Sequence, residues 1–212
     1  MIEAVIWDFG GVITSSPFEA FSRFENERGL PVDIIRRTNA ANHLENAWSK
    51  FERAEIDAET FDRLFASETL ALGAEVRGSD VLPLLGGEIR PEMVEALRRI
   101  KARCKTGCIT NNLPKNAIGG RDGRSLYVAE VMALFDHVIE SAKIGLRKPD
   151  PRIYRMMVEA LGVDPKNCIY LDDLGVNLKP AREMGMTTIK VLSAAQAIPE
   201  LEAATGLSLG MG

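Results

Sequence analysis

The stretch AVIWDFGG, residues 4–11, decides the fold. Its first four residues, Ala4–Trp7, form an apolar run whose length suits a strand buried on both faces of a sheet. The run stops at a single acid, Asp8, and two glycines, Gly10 and Gly11, follow soon after it. Glycine lets the backbone turn sharply and present its N–H and C=O groups without a Cβ in the way. The stretch therefore predicts a buried strand that ends at a polar site.

Further β-like runs follow along the chain, and helical patterns separate the later ones. The runs cover residues 106–109, 137–139 with Glu140 after them, 168–171 and 187–191. The helical patterns begin near residues 91, 151, 175 and 194, and glycines end the last three of them. Strands that alternate with helices predict an α/β fold with a doubly wound parallel sheet.

The segment between the first strand and residue 90 carries no strand signal and is predicted to be helical. Ser16 and Glu19 have the spacing of a capping box, which predicts that Ser16 caps the first helix. Aromatic residues recur at helical spacing, as in Phe18, Phe21 and Phe24, and we expect them to form an ordinary hydrophobic core.

This insertion divides the chain into two predicted units. We expect an α/β core of residues 1–15 and 90–212 and an α-helical cap of residues 16–89. Because ligands bind beyond the carboxyl ends of the strands in open parallel sheets, helices inserted after the first strand would cover that edge.

The composition is typical of a soluble globular protein. The chain has 212 residues, 46% of them hydrophobic and 26% charged, and a net charge of −4, which favours neither nucleic acid nor an anionic membrane. No apolar run approaches the roughly 20 residues that span a bilayer, and no signal-peptide pattern is present. Three cysteines without a nearby histidine are expected to be reduced thiols in a cytoplasmic protein. The sequence does not indicate an oligomeric state.

Polar residues follow most of the predicted strands. Asp8 follows the first strand, and the later ones lead to these residues: Thr110, Asn111, Asn112, Lys148, Asp172, Asp173 and Asn177. Because the carboxyl ends of parallel strands lie along one edge, we expect these side chains to converge there.

Such a group of side chains has a definite chemical preference. Carboxylates packed together repel one another unless cations lie among them, and Lys148 supplies only one positive charge. Carboxylate and carbonyl oxygens are the ligands that Mg²⁺ prefers. A divalent cation, a lysine, a hydroxyl and free backbone N–H groups together form a phosphate site, and an aspartate in it can attack phosphorus.

The segments WDFGGVIT, ITNN, KIGLRKPDP and YLDDLGVN, in this order, resemble the four motifs of the haloacid dehalogenase (HAD) superfamily. The resemblance runs from about residue 2 to residue 192. Within the superfamily, LDDLGVNLKPAREMGM is similar to the phosphatase-like domain of soluble epoxide hydrolases. DFGGV is similar to the domain fused to some acyl-CoA dehydrogenase family proteins. The resemblance implies a Rossmannoid, HAD-like core, an inserted helical cap and a phosphorylated small-molecule substrate.

The resemblance also implies a role for each motif residue. Asp8 would be the nucleophile and, with Asp173 and the Gly10 carbonyl, would bind Mg²⁺. Lys148 would neutralise nucleophile and phosphate. The phosphoryl oxygens would be held by Thr110 and by the backbone at Phe9, Gly10 and Asn111. Asp172 and Asn177 would orient the metal's waters and Lys148. Independently of the resemblance, the polar segment 116–125, rich in glycine and arginine, is expected to be a surface loop, and its position after the second strand makes it and Asn112 candidates for a substrate loop.

One position departs from the pattern of the family's phosphatases. They usually carry a second aspartate two residues after the nucleophile, which acts as general acid and then as base, and this chain has Gly10 there. General acid–base catalysis contributes about 10²–10⁴-fold, so its loss predicts a slow enzyme. His43 is a possible substitute but is expected to be an ordinary surface residue, and His137 a structural one. Two alternatives stay open, a phosphate-binding regulatory module with little turnover and a dehalogenase, which would not need Mg²⁺.

Overall fold

The computed structural model describes residues 1–112 and 123–210, with the side chains of 123–125 left undescribed. Within these residues the core is a five-stranded, all-parallel sheet in the order β3-β2-β1-β4-β5. The strands are β1 (Ala4–Trp7), β2 (Lys105–Thr110), β3 (His137–Glu140), β4 (Cys168–Asp172) and β5 (Thr187–Lys190). The predicted strands are confirmed, with bounds that differ by no more than one residue.

Helices cover both faces of the sheet, as predicted for a doubly wound fold. On one face, Val5 and Trp7 of β1 share a buried cluster with Leu97 and Leu201. On the other, Ile6 packs with Tyr154 and Leu178. The helices of the core are α6 (Pro91–Lys101), α7 (Gly123–Met132), α8 (Ser141–Ile144), α9 (Pro151–Leu161), α10 (Gly175–Glu183) and α11 (Ala194–Thr205).

The described residues between β1 and α6 are helical and build a hydrophobic cluster of their own. We call Phe18–Leu85 the helical insert; it contains α1 (Phe18–Glu27), α2 (Ile34–Ala40), α3 (Ala47–Glu52), α4 (Ala58–Leu70), α5 (Gly78–Val81) and a 3-10 turn (Leu82–Leu85). Its aromatic residues form this cluster, and the rings of Phe51 and Phe61 stack with centroids 4.6 Å apart. The expectation that they are ordinary core residues is confirmed.

Two adjacent chain segments connect the insert to the sheet. Thr14 and Ile89 form an antiparallel bridge. The Ser15 N–H donates to the Glu88 carbonyl at 2.7 Å, and the Arg90 N–H donates to the Ile13 carbonyl at 2.8 Å. The insert therefore leaves and rejoins the core through one narrow, hydrogen-bonded neck.

The predicted capping box at Ser16 is wrong. Pro17 is the residue before α1, and no side chain caps this helix. The Ser16 hydroxyl is instead 3.5 Å from Asp173 Oδ2, at the sheet edge.

The described residues include no helix that is both long enough and apolar enough to span a membrane. The three cysteines are free thiols, and two of them, Cys108 and Cys168, are buried.

Candidate active site

The carboxyl edge of the sheet brings three aspartates together. β1 and β4 are neighbours, with Trp7 opposite Leu171, so the residues that follow these positions lie side by side. One carboxylate oxygen from each of Asp8, Asp172 and Asp173 lies within 4.8 Å of the others. The structure therefore brings three of the expected side chains together at this edge.

Lys148 lies between two of these carboxylates. Its side chain is almost completely buried, and Nζ is 2.8 Å from Asp8 Oδ1 and 2.8 Å from Asp172 Oδ2. Burial alone would lower the pKa of Lys148, but the charges of Asp172 and Asp8 outweigh it and raise the pKa. The two carboxylates therefore favour the charged form of the lysine.

Asn111 holds the backbone of Lys148. Its Oδ1 accepts a hydrogen bond from the Lys148 N–H at 2.8 Å, and its Nδ2 donates to the Lys148 carbonyl at 3.1 Å. The Lys148–Pro149 peptide bond is cis. Sequence reasoning assigned only the Asn111 backbone to the site, whereas its side chain also connects the end of β2 to the lysine.

Asp172 is fully buried and its carboxylate is surrounded by donors. Besides Lys148, Oδ2 accepts from the Tyr170 hydroxyl at 2.6 Å and Oδ1 from the Leu174 N–H at 2.8 Å. Asn177 Nδ2 donates to both oxygens, at 3.0 and 3.2 Å. A carboxylate held in this way orients Lys148, which is consistent with the supporting role expected for Asp172 and Asn177. Sequence reasoning missed Tyr170, although its position two residues before Asp172 on the same strand face was a usable signal.

The positive charge of Lys148 does not fully compensate the other two aspartates, Asp8 and Asp173. Burial raises the pKa of Asp8 well above its usual range; Lys148 lowers it, while Asp172 and Asp173 raise it further. Burial and the charge of Asp172 likewise raise the pKa of Asp173 to about 6. Three carboxylates and one ammonium leave the ionised site with an excess of two negative charges, which a divalent cation would neutralise.

The turn after Asp8 is shaped to receive Asp173. Gly11 has φ +76°, and a Cβ there would collide with the Asp173 carboxylate. The Arg90 guanidinium donates to the Gly11 carbonyl at 3.0 Å and supports the turn. The Phe9 N–H donates to Asp8 Oδ1 at 2.6 Å. By contrast, Gly10 is exposed and a Cβ there would meet nothing within 4 Å.

The remaining predicted site residues have different surroundings. Thr110 ends β2 at the same edge, half-buried and opposite Glu140. Asn112 donates from Nδ2 to Glu140 Oε1 at 2.7 Å, and its carbonyl oxygen lies 3.1 Å from the Ser141 hydroxyl oxygen, so it connects the ends of β2 and β3. The substrate loop expected at 116–125 lies largely outside the described residues, and no side chain in it is described.

The two histidines lie away from this cluster's hydrogen bonds. His43 is exposed in the helical insert, where its carbonyl accepts from Arg147 at 2.9 Å. His137 is exposed at the start of β3, the opposite end of the strand from the site edge. Sequence reasoning did not assign three further residues to the site or its surroundings: Arg147, Glu52 and Ser16. Each contacts a site residue or one of its neighbours, but no local sequence pattern indicates these long-range partners.

Comparison with known proteins agrees with the motifs. The chain matches the haloacid dehalogenase-like hydrolase family over residues 2–185. It is 34% identical over 217 residues to acyl-CoA dehydrogenase family member 10 of Mus musculus, covering 99% of this chain and 20% of that protein. It is 30% identical over 216 residues to bifunctional epoxide hydrolase 2 of Mus musculus, covering 97% of this chain and 39% of that protein. The chain thus spans well under half the length of these two relatives.

Two further comparisons cover nearly the whole of both chains. The protein is 32% identical over 198 residues to a phosphatase of Mycobacterium tuberculosis, covering 87% of this chain and 85% of that one. A HAD family enzyme of Bacteroides thetaiotaomicron, solved in complex with magnesium and inorganic phosphate, superimposes with a TM-score of 0.61 at 19% identity, over 95% and 99% of the two chains. The resemblance deduced from the motifs is confirmed: this chain belongs to the haloacid dehalogenase-like hydrolase family.

Proposed function

We propose that this hydrolase is a Mg²⁺-dependent phosphatase that cleaves phosphomonoesters of small molecules through an aspartyl-phosphate on Asp8. The observation that carries the proposal is the buried Lys148 ammonium, 2.8 Å from both Asp8 and Asp172, with Asp173 beside them. A relative of 32% identity that is named a phosphatase supports the same chemistry.

The residues present fit a magnesium ion. The carboxylate and carbonyl groups offer oxygen ligands, the ionised site carries excess negative charge, and Gly11 lies where a Cβ would collide with the Asp173 carboxylate. Asp8, Asp173 and the Gly10 carbonyl would hold the ion. When bound, Mg²⁺ supplies positive charge that lowers the repulsion between the phosphoryl group and the nucleophile.

The chain's own residues account for the remaining steps. An Asp8 oxygen attacks phosphorus as the bond to the leaving oxygen breaks, and water then attacks the same phosphorus, which releases phosphate and restores Asp8. Lys148, Thr110 and the backbone N–H groups at Phe9, Gly10 and Asn111 stabilise the charge on the phosphoryl oxygens. Asp172 and Asn111 keep Lys148 in place for both steps.

Gly10 determines which substrates are cleaved well. With a glycine at the family's general-acid position, no side chain of residue 10 protonates the leaving group. Substrates whose leaving group departs without being protonated, such as acyl and anomeric phosphates or activated aryl phosphates, are therefore expected to react fastest. Simple alkyl phosphates are expected to react slowly.

We propose that residues 16–89, which include the helical insert, form the cap, and that residues 1–15 and 90–212 form the core. The insert's separate hydrophobic cluster and narrow neck support this division. A cap over the carboxyl edge would exclude bulk water and contact the leaving group.

Gly10 also supports a second candidate, a phosphate-binding module with little turnover. The two functions make opposite predictions in one assay. Phosphate release is measured from sugar, lipid, nucleotide, acyl and aryl phosphates, each with Mg²⁺, with EDTA, and with Asp8→Asn. Metal-dependent release that Asp8→Asn abolishes supports the phosphatase. Binding of Mg²⁺ and inorganic phosphate with no release from any substrate supports the binding module.

The control for this assay is Asp80→Asn. It makes the same chemical change at an exposed ion pair with Arg28 in the insert. It should leave release unchanged. Retained release by Asp8→Asn would refute the nucleophile assignment.

A further inference from the structure

The side chain of Arg147 connects the core to the helical insert. Its Nε is 2.6 Å from Glu52 Oε2 at the end of α3. Its Nη1 donates to the Ser49 hydroxyl at 2.8 Å and to the His43 carbonyl at 2.9 Å. The Arg147 and Glu52 side chains are only 18% and 9% exposed, so this ion pair is screened little by solvent.

The core holds the same end of α3 at a second atom. Ser141, fully buried at the start of α8, donates its hydroxyl to the Glu52 carbonyl at 2.8 Å. The Trp48 indole N–H donates to Glu52 Oε1 at 2.9 Å, which fixes the carboxylate that Arg147 binds. We call this group of contacts around Arg147 and Glu52 the latch.

The position of the latch gives it a mechanical consequence. The neck at residues 14–15 and 88–90 consists of two adjacent segments, and such a connection permits the insert to rotate about it. The latch lies elsewhere on the insert, at the end of α3, so it opposes that rotation. Because Arg147 is bonded to Lys148, whose backbone Asn111 holds, a displacement of α3 acts on the chain next to the lysine.

We propose that Arg147 is a positioning residue, and that the latch couples the position of the helical insert to the position of Lys148 beside Asp8. The kinetic consequence rests on the proposed phosphatase function, whereas the structural consequence does not. Breaking the latch from the insert side should loosen the backbone around Lys148, although the ion-pair partner of Glu52 is Arg147 and those of Lys148 are Asp8 and Asp172.

The test compares Glu52→Gln, Arg147→Gln and the double variant with the parent. Arg152→Gln is the matched control, because Arg152 forms an exposed ion pair with Asp150 five positions further along the chain. Hydrogen–deuterium exchange is measured for the peptides that contain residues 47–52 and 146–148. The values of kcat and KM are measured with an activated aryl phosphate and Mg²⁺.

We expect Glu52→Gln and Arg147→Gln each to increase exchange in both peptides. We also expect each to lower kcat about tenfold with KM changed less than threefold, and the double variant to be no slower than the slower single variant, because both act through one contact. Arg152→Gln should stay within twofold of the parent. Glu52→Gln removes no volume, so it carries the test if Arg147→Gln does not fold.

Two results would overturn the coupling. One is faster exchange at 47–52 with 146–148 unchanged in Glu52→Gln; the other is kcat within twofold of the parent in an active enzyme. If the parent releases no phosphate, the proposed function fails, and exchange at 146–148 alone decides for or against the coupling.

Discussion

Replacing Gly10 by aspartate should convert this site into a faster phosphatase. The structure accommodates the change, because a Cβ at Gly10 meets nothing within 4 Å and the backbone there is not in the left-handed region. The surrounding negative charge should raise the pKa of the new carboxyl, which favours the protonated form that a general acid requires. A well-placed general acid contributes about 10²–10⁴-fold. At about 1.36 kcal/mol for each tenfold, this corresponds to roughly 3–5 kcal/mol off the barrier.

The assay is kcat/KM for a series of aryl and alkyl phosphates that differ in the basicity of the leaving group. The parent should slow steeply as the leaving group becomes more basic, and Gly10→Asp should flatten this dependence, with the largest gain for alkyl phosphates. Gly10→Asn is the matched control, since it has the same shape and no acidic proton. A shallow dependence in the parent, or an equal gain with asparagine, would refute the reasoning that the site lacks a proton donor.

Three further predictions concern metal and stability. The pKa of Asp173 is about 6 in the folded protein against its ordinary 3.8. In the metal-free protein, ionisation of Asp173 therefore lowers the free energy of unfolding by at most about 3 kcal/mol, and this loss develops as pH rises from about 4 to 6. The free energy of unfolding in urea should therefore be much higher with Mg²⁺ than with EDTA at pH 7.5, and only slightly higher at pH 5. An equal difference at both pH values would contradict this prediction. Gly11→Ala should abolish Mg²⁺ binding, measured by calorimetry, and should destabilise the fold more than Gly145→Ala does. Both glycines have a positive φ, which costs about 1–2 kcal/mol for alanine, but only a Cβ at Gly11 would collide with Asp173. Tyr170→Phe should lower the free energy of unfolding by about 1.5–3 kcal/mol, because its hydroxyl donates to the Asp172 carboxyl group. Tyr154→Phe should lower it by about 0.5–1.5 kcal/mol, because its partner is the Asn177 carbonyl; equal losses would contradict this ranking of the two hydrogen bonds.

The core was predictable because its signals are local. Strands of a parallel sheet are buried on both faces and read as continuous apolar runs, as residues 4–7 and 168–171 do. Polar residues directly after such runs could be assigned to one edge, which located Asp8, Asp172 and Asp173 before any geometry was known.

The insert was less predictable because its helix ends depend on distant partners. Helix α2 begins after Asp33, and its first N–H groups are satisfied by Glu25, whose Oε2 accepts from Asp33 and Oε1 from Ile35. No nearby residue signals this cap, so α2 was not predicted as a separate helix. At Ser16 the local signal was present but misleading, because the hydroxyl lies near Asp173 and not at the helix end.

The same reason explains what sequence reasoning missed in the site. The Arg147–Glu52 pair joins residues 95 positions apart, and both are ordinary charged residues in the sequence. Asn111 and Asn112 were placed at the correct strand end, but only the fold shows that their side chains bind Lys148 and Glu140.

The central claim is that Asp8 becomes phosphorylated during turnover. The direct measurement is acid quenching of the enzyme with Mg²⁺ and an activated aryl phosphate, followed by mass spectrometry of the peptide that contains residue 8. The account predicts a phosphate on Asp8 during turnover, absent with EDTA and in Asp8→Asn. Steady phosphate release with no phosphate on Asp8, or release that persists in Asp8→Asn, would contradict it.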